Sequence, residues 1–111
     1  MECIFCNIIN ELMPADIIFK NDKVVVFKDI NPKAPVHILV VPHLHVPSVN
    51  DLKDEHKDMI ADMIFAAIKA AKDLKVDSGY KLSFNVGRKG GQLVDHIHLH
   101  LMAGWEEGAS N

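Results

Sequence analysis

Hydrophobic and polar positions along the chain follow two rhythms. Between Leu52 and Leu74, the apolar residues Met59, Ile60, Met63, Ile64, Ala67, Ile68, Ala71 and Leu74 recur at steps of three and four, and Glu55, Asp58, Asp62, Lys69 and Lys72 take the other side. That period predicts one long amphipathic helix whose Met and Ile stripe faces a core. Elsewhere the rhythm is that of strands. "DIIFKNDKVVVFKDI" has two β-branched runs broken at Asn21-Asp22 and predicts a hairpin, and "VHILVVP" predicts a buried strand ending at Pro42. "YKLSFNVG" and "DHIHLHLMA" predict two further strands joined through the glycine-containing "RKGGQL".

Residues 4 to 12, "IFCNIINEL", have helical spacing and stop before Pro14, which predicts a short first helix with Cys3 and Cys6 near its start. "NPKAP" is a loop, because its prolines remove ladder donors and disfavour helix in the residues before them. Five strands with mostly short connections, and one long helix after the third, predict an α+β domain: an antiparallel sheet covered on one face. The tail "GWEEGASN" is polar apart from Trp105 and is expected on the surface or against a partner.

Composition narrows the function classes. The 111 residues suit a single domain with one core. At 49% hydrophobic and 24% charged, the chain is neither disordered nor a disulfide scaffold. A net charge of −3 supplies no basic surface for nucleic acid, so any nucleotide partner is expected as a small molecule. "MECIFCNIIN" has an acid and a cysteine where a signal peptide carries a basic region, and no apolar run approaches the ~20 residues of a membrane helix. A soluble, cytoplasmic protein is expected, with Cys3 and Cys6 as thiols or metal ligands rather than a disulfide.

The candidate chemistry lies in "VDHIHLHLM". Side chains of a strand alternate between faces, so His96, His98 and His100 share one face and Ile97, Leu99 and Leu101 the other. One metal held by all three rings conflicts with geometry. At about 3.3 Å per residue the outer two backbones lie roughly 13 Å apart, whereas each metal–nitrogen bond is about 2.1 Å. The three rings therefore divide into more than one job. Just upstream, "FNVGRKGGQLVDH" supplies Asn85, Gly90, Gly91, Gln92 and Val94, a turn that lets amides approach an anion. A phosphate there would face imidazoles able to act as nucleophile, proton donor or charge stabiliser near neutral pH.

"HIHLHLM" resembles the H-x-H-x-H signature of the histidine triad family. "CIFCNII", "IIFKNDKVVVFKDINPKAPVHILVVPHLH" and "NVGRKGGQLVDHIHLHLMAG" are similar to blocks of its nucleotide-binding branch. The resemblance implies two subunits joining their sheets in a homodimer, and hydrolysis or transfer at the α-phosphorus of a purine nucleotide. It also implies His98 as nucleophile through a covalent nucleotidyl-histidine, and His100 at the phosphate, where it helps protonate the leaving group. His37 in "PVHIL" would orient the rings, and Asp29 would bind the ribose hydroxyls. Phe27 and Ile30 would line the base pocket, with Asn85, Gly91, Gln92 and Val94 around phosphate and ribose. One position departs from the pattern: Leu93 stands where the branch commonly has serine, which removes a hydroxyl able to bond the phosphate or leaving group.

Cys3 and Cys6 form a C-x-x-C pair, which by itself fits incidental thiols, a redox pair or metal ligands. Some members of the family bind structural zinc through such a pair, the histidine ending a P-x-x-H segment and the first histidine of the triad. That resemblance implies zinc at Cys3, Cys6, His45 and His96, and no organic cofactor. His43 and His56 are expected to face solvent. Three other functions compete with a nucleoside phosphoramidate hydrolase: a dinucleoside polyphosphate hydrolase, a nucleotide-binding module with weak catalysis, and a histidine-ligated metalloenzyme.

Overall fold

The computed structural model describes residues 3–106. Helix α1 (Ile4–Ile9) precedes strands β1 (Ile17–Lys20), β2 (Val24–Lys28) and β3 (Val36–Pro42). Helix α2 (Lys57–Asp73) then leads to β4 (Lys81–Ser83) and β5 (Leu99–Ala103). All neighbouring strands pair antiparallel, in the order β1-β2-β3-β5-β4. The predicted α+β architecture with five strands, a short first helix and one long helix is the one observed. Among the described residues, no helix is long and apolar enough to cross a membrane.

Alternation along the strands sorts side chains onto two faces. Val24, Val26, Ile38, Val40, Leu99, Leu101 and Ala103 form the main core with Met63, Ala66, Ala67, Ala70 and Ala71 of α2. Of the α2 residues in that core four are alanines and one is Met63, while Met59, Ile60 and Ile64 of the predicted stripe are partly buried and pack against it. The opposite face is not bare. Val25, Phe27, Leu39 and Val41 pack against Phe5 and Ile8 of α1 in a second, smaller core, so the sheet is covered on both faces.

Four boundaries differ from the sequence expectation, one of them that of β4, which keeps only Lys81–Ser83 of the run "YKLSFNVG". Residues 52–56 do not join α2; short 3₁₀ turns at Val49–Asp51 and Asp54–His56 precede it, the first capped by the Ser48 side chain. Helix α1 stops at Ile9, where the amides of Leu12 and Met13 turn back onto the Asn7 carbonyl and Glu11 adopts a positive φ of 61°. Strand β5 begins at Leu99 rather than Asp95, because its ladder with β3 ends at the Val40–Leu99 pair. Only His100 of the three alternating histidines therefore lies in a strand. Trp105 is half-buried, and residues 107–111 of the tail lie outside the described residues.

Candidate active site

His96 and His98 sit just before the start of β5 and are held by bonds other than a ladder. The Ile97 amide donates to the Val46 carbonyl at 2.7 Å, and one ring nitrogen of each flanking histidine finds a backbone oxygen. Phe5 of α1 sets its ring edge-on against both, with centroids 5.0 Å from His98 and 6.0 Å from His96. The His98 and His100 ring centroids are 5.0 Å apart with the ring planes tilted by 57°.

The hydrogen-bond partners assign a tautomer to each ring. His98 donates from Nδ1 to the His96 carbonyl at 2.7 Å, which leaves the Nε2 lone pair free on a ring that lines the cavity. His37 accepts the Lys33 amide at Nδ1 (2.9 Å), so its proton is on Nε2. That proton faces His100 Nδ1 at 2.9 Å and the Asp29 carboxylate at 3.4 Å. His100 thus accepts at Nδ1 and carries its own proton on Nε2, an atom buried with no partner among the described residues. An unshared ring-nitrogen lone pair and an unused N–H donor thus lie on neighbouring rings.

Burial, ahead of every other influence, lowers His37, His98 and His100 below the ordinary 6.5. For His100 the neighbouring His98 and His37 add to burial and bring it to about 4. Asp29 pulls all three the other way without reversing the outcome. At neutral pH the rings are therefore neutral, and the Asp29–His37 contact is a long hydrogen bond rather than an ion pair.

These rings open onto a cavity of about 490 Å³. Of the residues singled out in the sequence, Phe27, Asp29, Ile30, Asn85, Gly91 and Val94 line it together with His37, His98 and His100. Gln92 does not. It is 2% exposed, and all its amide atoms are engaged: Oε1 accepts the Gly87 amide at 2.9 Å, while Nε2 donates to the carbonyls of Pro47 (2.7 Å) and Val94 (2.9 Å). The expected phosphate ligand is a brace for the glycine loop. Arg88 tightens the same loop by donating to the Gln92 carbonyl at 2.7 Å and to both oxygens of Asp95.

Sequence reasoning missed the wall supplied by Phe5 and Ile8 of α1 and the Lys33 amide. The apolar spacing of "IFCNII" signalled a helix face that could have been assigned to the cavity. A backbone amide leaves no such signal.

A second cluster lies behind His96. The ligand atoms of Cys3, Cys6, His45 and His96 all fall within 4.8 Å of one another. His96 donates from Nε2 to the Pro42 carbonyl at 2.8 Å, which turns its Nδ1 lone pair toward the Cys3 and Cys6 sulfurs at 3.4 and 3.5 Å. His45 Nδ1 lies 3.3 Å from Cys6 Sγ. Zinc bonds of about 2.3 Å to sulfur and 2.05 Å to nitrogen at tetrahedral angles place S and N about 3.6 Å apart, close to the spacings found. The donors, the burial of Cys3 and His96 and the outer hydrogen bond of His96 all fit that ion. Burial, with Cys3 adding, pushes the Cys6 thiol up to about 11, and burial lowers His96 to about 4. Binding a dication here would release the thiol proton, whereas the imidazole is already neutral. His43 is exposed as expected, but His56 is half-buried and accepts the Lys53 amide at Nδ1.

Residues 2–110 match the family model described as the scavenger mRNA decapping enzyme C-terminal binding family. A purine nucleoside phosphoramidase of Escherichia coli K12 is 44% identical over 104 residues, which span 93% of this chain and 87% of that protein. The crystal structure of a HIT family hydrolase from Legionella pneumophila superposes with a TM-score of 0.93 at 38% identity and covers 97% of both chains. A zinc-bound histidine triad family protein from Mycobacterium smegmatis superposes at 0.82 with 29% identity, over 100% of this chain and 81% of that one.

Proposed function

The chain belongs to the histidine triad family, and from that premise we propose that it hydrolyses purine nucleoside phosphoramidates, or related adenosine monophosphate derivatives, at the α-phosphorus. The observation that carries this reading is the pair of tautomers: His98 with a bare Nε2 beside His100 with a free Nε2–H, both on one cavity. An attacking lone pair next to a hydrogen-bond donor is what nucleophilic displacement at a phosphoryl group requires.

In the first step the His98 Nε2 lone pair bonds to phosphorus as the phosphorus–amine bond breaks, and the departing amine takes a proton from solvent. Charge developing on the His98 ring is stabilised through Nδ1–H by the His96 carbonyl. His100 donates Nε2–H to a phosphoryl oxygen. Being neutral with a single proton, it acts as a donor rather than as the source of the amine's proton. In the second step water bonds to phosphorus, the P–Nε2 bond breaks, and one proton of that water passes to solvent, balancing the one the amine took, as the nucleoside monophosphate leaves.

Asp29 binds the ribose hydroxyls, a vicinal diol suiting a carboxylate that accepts two hydrogen bonds. Phe27 and Ile30 line the base pocket, while Asn85, Gly91 and Val94 flank the phosphate. Zinc, bound by Cys3, Cys6, His45 and His96, would tie α1 to the residues ahead of β5, and its contribution is to stability. The protein acts as a cytoplasmic homodimer.

The test is to mix the protein with adenosine 5′-phosphoramidate, quench rapidly and measure intact mass. A nucleotidyl adduct is expected on wild type and absent from His98→Ala. An adduct that persists in that variant would refute the nucleophile.

A further inference from the structure

Leu93 is an anomaly in its loop. It is 79% exposed, yet its neighbour Gln92 is 2% exposed and hydrogen-bonded through every amide atom. A large apolar side chain at a mobile loop tip would need no explanation. Here the backbone on both sides is fixed: Gln92 grips the Val94 carbonyl, and Arg88 ties the Gln92 carbonyl to the Asp95 carboxylate. Leu93 is thus displayed on a braced scaffold, and it lines the cavity that holds His98 and His100.

The sheet order locates it relative to the reacting rings. His100 is on β5, with β3 and then β2 on one side and β4 on the other. Asp29 and Ile30 follow β2, so the nucleoside side of the cavity is the β2 flank; Asn85, Gly91 and Leu93 belong to the β4–β5 connection on the opposite flank. With the ribose held by Asp29 and the phosphorus at His98, the second flank is the side of the cavity that the nucleoside leaves for the departing group.

We infer that Leu93 is a specificity-determining residue that selects leaving groups carrying an alkyl or aryl segment. Resting on the hydrolase reading above, this adds the chemistry of the group expelled. Contact with a preorganised apolar side chain favours the apolar group through water release, without the ordering cost of a flexible loop.

The experiment compares kcat/KM for three adenosine 5′-phosphoramidates: the unsubstituted compound, the N-pentyl compound and its N-(4-hydroxybutyl) counterpart, equal to the pentyl in chain length. Wild type should prefer pentyl over hydroxybutyl by about tenfold, the order expected for one apolar contact. Leu93→Ser should bring the ratio close to one, and Leu93→Met should retain it. Equal turnover of the two by wild type, or a preference that survives Leu93→Ser, overturns the inference and leaves the hydrolase reading in place. Failure to turn over any of the three, the unsubstituted compound included, removes both.

Discussion

His96 and His98 are two residues apart, buried to similar depth and touched by the same phenylalanine, but their surroundings part them completely. His96 has both nitrogens directed into protein, one to the Pro42 carbonyl and one to the cysteine sulfurs. His98 has one nitrogen engaged and the other at a cavity. The same kind of ring joins a four-donor cluster in one case and lines an open cavity in the other. What separates them is which nitrogen is left over and whether space lies in front of it.

Crossing the two regions should produce the largest effects. His98→Ala should cost at least ~10³-fold in turnover yet keep one zinc per chain, because its ring is not a cage donor. Cys6→Ser should lose the zinc and lower the thermal midpoint while remaining able to form the nucleotidyl adduct. Metal analysis of both purified variants beside their kinetics checks the division. Tightly held zinc in Cys6→Ser would break the cage assignment, as would its loss in His98→Ala.

A smaller effect concerns the brace between the regions. Gln92→Leu strands the Gly87 amide and the Pro47 and Val94 carbonyls. With buried unsatisfied groups costing ~1–3 kcal/mol each and solvent recovering some of them, we expect a loss of about 2–4 kcal/mol in urea unfolding. A loss below ~1 kcal/mol would mean the loop is held by Arg88 alone.

The smallest effect is a pH slope. Burial, then His98 and His37, hold His100 at about 4 against an ordinary 6.5. Between those values the unfolded chain binds a proton that the folded protein refuses, so this contribution is present above about 6.5 and is lost as pH falls toward about 4. His100→Asn should flatten the decline in unfolding free energy between pH 7 and pH 5. An unchanged slope would show that His100 protonates as freely folded as unfolded.

Several parts of the site were legible because they follow from side-chain type and short-range period. Alternation in "HIHLHLM" put the rings on the side away from α2, and the resemblance carried by the motif grouped Cys3, Cys6, His45 and His96, whose ligand atoms the fold brings within 4.8 Å of one another. Gln92 was misread because its amide suits a phosphate and a backbone carbonyl equally well; only its neighbours decide. The start of β5 was misread because alternation persists in extended chain whether or not a partner strand runs beside it.

By itself, then, the sequence determined the element types, the faces of the strands and the list of chemically competent residues, since these depend on local geometry and side-chain chemistry. Tertiary structure alone decided which imidazole nitrogen is free. For His96 and His100 that choice is made by backbone groups distant in sequence, the carbonyl of Pro42 and, through His37, the amide of Lys33; for His98 it is made by the His96 carbonyl, and the fold supplies the cavity in front of the other nitrogen. Every residue carries those same backbone groups, so only folding can select among them.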